Sequence, residues 1–162
     1  MLQADFIQRV RACERRLYRV ARTMLPQECD CEDAVQEALL RAWDRRETLR
    51  QEAYFDTWLI RILINQCKTF YRRRPPEPAE LTEDIPQVTS EETPLLEALM
   101  ALQRKQRVTL ELHYIEGYSV AETARILRLP EGTVKWRLKR GRELLKQSLN
   151  REEARADRKS VV

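Results

Sequence analysis

An all-α protein is the fold the sequence predicts: two small helical domains joined by an acidic, proline-containing linker, the second a helix-turn-helix (winged-helix-like, with no wing). Three observations predict it. Only three glycines, at 117, 132 and 141, occur in 162 residues, so glycine-rich turns between strands are scarce. Apolar residues recur at spacings of three and four along most of the chain. One internal stretch, 75–93, holds four prolines and six acidic residues and no lysine or arginine.

The elements follow in order. Phe6, Val10, Cys13, Leu17, Ala21 and Met24 lie on one face of a first helix that begins after Asp5, a good N-cap, and ends before Pro26. A second helix runs from residue 30 or 31 to about 46 on a stripe of Ala34, Val35, Ala38, Leu39 and Ala42. Glu32, Asp33 and Glu37 suit the positive end of its dipole. After a polar connector, 45–52, a third helix spans about 54–74 with Phe55, Leu59, Ile62 and Leu63 on its core face. Arg72, Arg73 and Arg74 close it before Pro75 and Pro76. Residues 75–93 read as an extended linker.

The second domain, 94–149, opens with a short helix through Leu95, Leu99 and Leu102, then one through Val108, Leu112 and Ile115 that Gly117 terminates. Ser119 and Glu122 have the spacing of a capping box. They start a helix packed through Val120, Ala124 and Leu127. The turn Arg128, Leu129, Pro130 leads to a last helix from about 131 to 148, and 150–162 read as a charged, frayed tail.

Charge is distributed unevenly. Residues 1–74 carry 15 cations against 11 anions, and 94–162 carry 15 against 9, so two basic halves flank an acidic connector. Such halves suit a polyanion. No segment approaches the ~20 apolar residues of a membrane span. Asp5 and Arg9 interrupt any N-terminal apolar run, so a cytoplasmic protein without a signal peptide is expected, with reduced cysteines.

Two helices joined by a tight turn, the second rich in cations, form the pattern that places a recognition helix in the major groove of DNA. In the last helix Val134, Leu138, Gly141 and Leu145 share the core face. At about 100° per residue, Gly132, Trp136, Lys139, Arg140 and Glu143 face the other way. Lys139 and Arg140 are the base-edge candidates, and Lys135, Arg137 and Arg142 the phosphate contacts. Thr133 joins the DNA-facing set.

The stretch LHYIEGYSVAETARILRLPEGTVKWRLKRGRELL (112–145) resembles region 4 of extracytoplasmic-function (ECF, group 4) sigma factors of the sigma-70 family. DCEDAVQEALLRAW (30–43) resembles the region 2 segment that binds the clamp helices of core RNA polymerase. TWLIRILINQCKTFYRRR (57–74) resembles the promoter-melting and −10 reading segment. The resemblance implies a sigma factor without enzymatic activity or cofactor. It would bind core polymerase, read a −35 element as duplex and a −10 element as single strand, and answer a stress or envelope signal through an anti-sigma factor. Polymerase contact then falls on Asp33, Gln36, Glu37, Arg41 and Trp43. The −10 side falls on the connector 45–52, Trp58, Asn65 and Arg72, Arg73 and Arg74, and the linker would thread polymerase near the template channel. Aromatics beside cations suit single-strand capture. The third helix offers Trp58, Phe70 and Tyr71 with Arg61 and Lys68, although core packing competes for Trp58 and Phe70.

Two positions depart from the family pattern. Thr69 stands where aspartate is common, four residues after Asn65, and Trp136 where a small polar residue is common. Trp136 could meet thymine methyls, backbone or an inhibitor. Cys29 and Cys31, with Cys13, Cys67 and His113, lack the spacing of a zinc site, so no metal is expected. A homodimeric operator-binding regulator and an adaptor without DNA function are the rival readings. The regulator leaves 30–43 and the linker unexplained.

Overall fold

The computed structural model describes residues 1–73 and 93–160. Helices α1 (Gln3–Met24), α2 (Glu28–Asp44) and α3 (Phe55–Arg73) make the first domain. Two 3-10 turns, Arg46–Thr48 and Glu52–Tyr54, shape the connector between α2 and α3. Arg74 and residues 75–92, nearly all of the expected linker, lie outside the described residues.

The core of this domain follows the periodicity. Phe6, Cys13, Leu17, Val20, Ala21 and Met24 of α1 meet Cys31, Ala34, Ala38 and Ala42 of α2 and Phe55, Leu59, Ile60, Leu63, Ile64 and Cys67 of α3. The alanine stripe on α2 lets its neighbours approach closely, with large side chains supplied by α1 and α3. Val10, Val35, Leu39 and Ile62 are half-buried at the edge of this core. Burial pushes the thiols of Cys13 and Cys31 up to about 11 and that of Cys67 to about 12, so these three sulfurs pack as apolar groups.

The second domain contains α4 (Thr93–Ala101), α5 (Arg104–Leu110), α6 (Val120–Leu127) and α7 (Glu131–Ser160). A wide turn of π type, Glu111–Ile115, extends α5, with the Glu116 amide donating to the Glu111 carbonyl at 2.9 Å. Gly117 then takes φ +79°, the left-handed conformation expected where a helix ends. Leu102, Leu110, Ala124, Val134 and Leu138 form the local core. Gly141 lets α7 seat on α5, because a Cβ there would stand 2.9 Å from Leu110 Cδ1.

Several expectations need correction. Asp5 sits inside the first turn of α1, beyond the cap position at Leu2, and makes no cap hydrogen bond. Helix α2 starts at Glu28 and ends at Asp44, earlier at both ends than expected. Ile115 is exposed, because the π-type turn rotates it out of the face set by Val108 and Leu112. The tail is helical through Ser160; its alanines, arginines and glutamates are strong helix formers, which outweighs its lack of an apolar face.

The two halves pack together. Val108, Leu112, Tyr118, Ile126 and Leu127 of the second domain belong to the same apolar cluster as the core of the first. Among the described residues no helix is long and apolar enough to cross a membrane, and no three His, Cys, Asp or Glu side chains converge as metal ligands.

Candidate nucleic-acid interface

The helix-turn-helix is built from local signals. The Ser119 hydroxyl accepts from the Glu122 amide at 3.0 Å while the Glu122 carboxylate accepts from the Ser119 amide at 3.4 Å, closing the capping box. Helix α6 ends at Arg128, whose φ of 55° is left-handed although it is not glycine. That conformation turns the chain, and the Leu129 amide donates to the Ala124 carbonyl at 3.0 Å. Pro130 follows, and its carbonyl accepts from the amides of Thr133 and Val134 as α7 begins.

Helix α7 buries Val134, Leu138 and Gly141 and half-buries Leu145. Lys135, Trp136, Lys139 and Arg140 are exposed together, as the helical repeat requires, and Trp136 is 58% exposed. Arg140 lies 3.7 Å from Glu143, a loose pair that leaves its guanidinium available. The remaining candidates differ. Arg142 donates to the Tyr114 hydroxyl and so ties α7 to the end of the π-type turn. Thr133 is half-buried, as is Arg137, whose guanidinium burial holds it below the usual range. Trp136 and Arg140 also form one wall of a cleft of about 450 Å³ against Leu102, Gln103, Lys105 and Gln106. The ring therefore has protein on one side and solvent on the other.

In the first domain Trp58, Arg61, Asn65, Lys68 and Arg72 fall at alternating steps of three and four, one stripe along α3. Trp58 is half-buried and packs on Phe55 with ring centroids 5.8 Å apart. Its outer side opens on a pocket of about 230 Å³ shaped by the connector through Thr48, Leu49, Arg50, Gln51 and Tyr54, with Thr57 and Arg61 below. Sequence reasoning missed Tyr54, which is exposed, and Thr57. It also missed that Arg125 and Ile126 of α6 supply one wall. Asn65 is exposed and its carbonyl accepts from the Thr69 hydroxyl at 3.1 Å, so Thr69 caps locally.

Phe70 and Tyr71 are half-buried against the core, and Arg104 of α5 lies 3.8 Å from the Tyr71 ring centroid. Arg72 and Arg73 are exposed. Lys68 is half-buried. Burial first, then Arg104, Arg72, Arg128 and Arg137, hold its ammonium below the usual range. Cations of both halves therefore converge along one edge.

On α2, Asp33, Gln36, Glu37 and Arg41 occupy the outer face, with Arg41 bonded to Glu37 at 3.2 Å. Trp43 is different. It packs edge-on against Phe6 at 5.1 Å and carries Arg46 at 3.9 Å from its ring centroid. Beside this face is a depression of about 470 Å³ lined by Phe6, Ile7, Gln36, Leu39, Leu40 and Trp43. Leu40 there is 64% exposed. Leu40, which lies outside the stripe of Ala34, Val35, Ala38, Leu39 and Ala42, was the available signal for this apolar surface.

Comparison with known proteins adds the family. Residues 9–75 match the Sigma-70 region 2 family and residues 93–145 the Sigma-70 region 4 family. The chain is 36% identical over 151 residues to the ECF RNA polymerase sigma factor SigM of Mycobacterium tuberculosis, covering 89% of this chain and 76% of that protein. It is 32% identical over 152 residues to the RNA polymerase sigma-E factor of Streptomyces coelicolor, covering 90% and 86%. The solved structure of CnrH in complex with the cytosolic domain of CnrY is similar at a TM-score of 0.72 and 28% identity, covering 92% of this chain and 90% of that one. The sigma factor RpoE in complex with the anti-sigma factor NepR from Bartonella quintana shares the fold at a TM-score of 0.75 and 24% identity, covering 90% and 97%. Two matched regions in this order, on a framework with seven α-helices among the described residues and a capped helix-turn-helix, place the chain in the ECF RNA polymerase sigma factors of the sigma-70 family.

Proposed function

We propose that the chain joins core RNA polymerase and directs it to promoters by dividing the reading between its halves. The observation that carries this is the exposed face of α7, where Lys135, Trp136, Lys139 and Arg140 are presented together on the second helix of a helix-turn-helix. In the major groove, Lys139 and Arg140 read base edges of the −35 element, and Lys135 and Arg137 contact phosphates. Thr133 sits at the entry of the helix. Arg142 reaches phosphate only on leaving Tyr114.

The stripe on α3 takes the −10 strand. Trp58 and Tyr54 offer faces for an unstacked base at the connector pocket, and Arg61, Lys68, Arg72 and Arg73 follow the backbone beside Asn65. Asp33, Gln36, Glu37 and Arg41 dock the polymerase clamp helices, with Trp43 supporting the apolar depression next to them. Region 2 function belongs to residues 1–74 and region 4 function to 94–149. An anti-sigma factor holds the protein inactive, a reading supported by the inhibitor bound to the solved RpoE neighbour. Work on chromosomal promoters places the protein in the cytoplasm.

The test is reconstitution. Purified chain added to core polymerase should support run-off transcription from a promoter mapped after overexpression. Failure to bind core, together with dimeric binding to a palindromic operator, would establish the regulator reading instead.

A further inference from the structure

The exposed side of α7 has an apolar residue at its crest. Val134, Leu138 and Gly141 are buried and fix the rotation of the helix. At about 100° per residue, Trp136 then points almost directly away from the core, with Lys139 and Arg140 one turn on, roughly 50° to either side. Trp136 is in the second turn of α7, in the half of a recognition helix that meets base edges. Gly132, one turn earlier on the same face, adds no side chain, and even a Cβ there would meet nothing within 4 Å. The approach to the ring from the start of the helix is therefore open.

The other tryptophans are engaged within the protein. Trp43 packs on Phe6 and carries Arg46, and Trp58 packs on Phe55. Among the described residues no ring or cation stacks on Trp136, which is 58% exposed and borders a cleft along α5 on one side only. Its indole combines a large apolar face with one N–H donor and no acceptor. In the major groove only thymine shows a methyl group beside an acceptor, the C5-methyl next to O4. Cytosine and adenine present amino donors, which an indole cannot accept, and guanine presents acceptors without an apolar group.

We propose that Trp136 reads a thymine of the −35 element, its ring covering the C5-methyl group. The proposal rests on the promoter reading above and deepens it: Lys139 and Arg140 read polar base edges, and the residue between them reads an apolar one. The geometry also limits where the thymine lies. Trp136 and Arg140 are separated by about 6 Å along the helix, at about 1.5 Å per residue. Base pairs stack about 3.4 Å apart, so the thymine falls within about two base pairs of the position read by Arg140.

The experiment uses holoenzyme assembled from the full chain and core polymerase, on duplex promoters mapped after overexpression. Each thymine of the −35 element, on either strand, is replaced in turn by deoxyuridine, which keeps O4 and the base pairing and lacks the methyl group alone. Wild type should lose about fourfold in affinity at one thymine, the equivalent of one buried methyl group. That thymine should lie within about two base pairs of the position sensitive to Arg140→Ala. Trp136→Ala should bind the unmodified promoter more weakly and no longer distinguish thymine from uracil there, so the two losses do not add. Should Trp136→Ala lose structure, Trp136→Gln carries the comparison, and the uracil scan on wild type needs no variant.

Uracil tolerated at every position overturns the proposal, as does a uracil penalty that persists without the ring. Unchanged promoter affinity in Trp136→Ala overturns it too and leaves the ring to a protein partner. Run-off transcription separates this failure from that of the promoter reading. Transcription that persists while uracil is tolerated everywhere removes the thymine contact alone, and absence of transcription from every mapped promoter removes both.

Discussion

The two edges of the contact between the halves are opposite in kind. On the α1 edge, Arg16 and Arg19 face the buried Glu116 and hold it through three directed bonds of 2.7 to 3.1 Å. On the α3 edge, Lys68 lies among Arg104, Arg72, Arg128 and Arg137, so like charges gather, although Arg104 also stacks on the Tyr71 ring. One edge fixes how the halves sit; the other opposes that seating electrostatically. An interface can therefore be specific without being tight, provided attraction and repulsion are placed on separate sides of an apolar centre.

The strongest way to break the contrast is Glu116→Ala. It leaves two half-exposed arginines without their carboxylate and should lower stability to urea by about 2–3 kcal/mol. The midpoint should shift, and the slope should stay constant if the chain still unfolds as one unit.

Acidity acts on the same edge. Burial first, and then the neighbouring Glu116 carboxylate, push the Glu111 carboxyl up to about 7, against the pull of Arg19. Glu116 itself is held below its usual range by Arg19, Glu111 and Arg16, against its own burial. A carboxyl raised in the folded state stabilises most below its unfolded value and loses that contribution as pH rises through about 7. Glu116 has the opposite sign, and its contribution disappears as pH falls below the ordinary carboxylate range. Stability should therefore fall between pH 5 and 7.5, at no more than about 1.4 kcal/mol per pH unit. Glu111→Gln should flatten that slope; a slope unchanged in this variant would place the titration elsewhere.

Arg140→Ala lies outside both edges. It should weaken −35 binding by about 1.5 kcal/mol, with loss confined to one base-pair position, and leave urea stability unchanged. A uniform loss on all sequences would make Arg140 a phosphate contact. The smallest effect should carry the opposite sign. Lys68→Gln removes one cation from the crowded edge and should stabilise the chain by about 0.3 kcal/mol, more at low salt than at high salt.

Much of the fold was legible in the sequence because each helix carries its own periodic stripe. The capping box at Ser119 and the stop at Gly117 are local chemistry, and the outward face of α7 follows from Val134, Leu138 and Gly141 being inward. What was not legible has a common cause. Periodicity says that a face is buried and does not say against what. The periodicity of Val108, Leu112 and Leu127 reads as a core of the second domain, and these residues, with Ile126, also serve the first. Arg142 looked like a free phosphate contact until its bond to Tyr114 was located. Nothing local marks Glu116, because its two arginines lie about a hundred positions away in the chain. The tail looked frayed because it lacks an apolar face, although its residue types favour a helix whether or not anything packs on them.

The missing Cβ of Gly141 has a mechanical meaning. It brings the backbone of α7 directly against Leu110, so any tilt of this helix on α5 would take that close contact as its fulcrum. Beyond the fulcrum α7 runs on to Ser160, a rod of roughly 28 Å at about 1.5 Å per residue. A tilt of about 10° in the groove-reading half would swing the far end by roughly 5 Å. A change in how the reading helix is seated should therefore register at the charged end of α7 as a displacement that a spectroscopic probe there can measure.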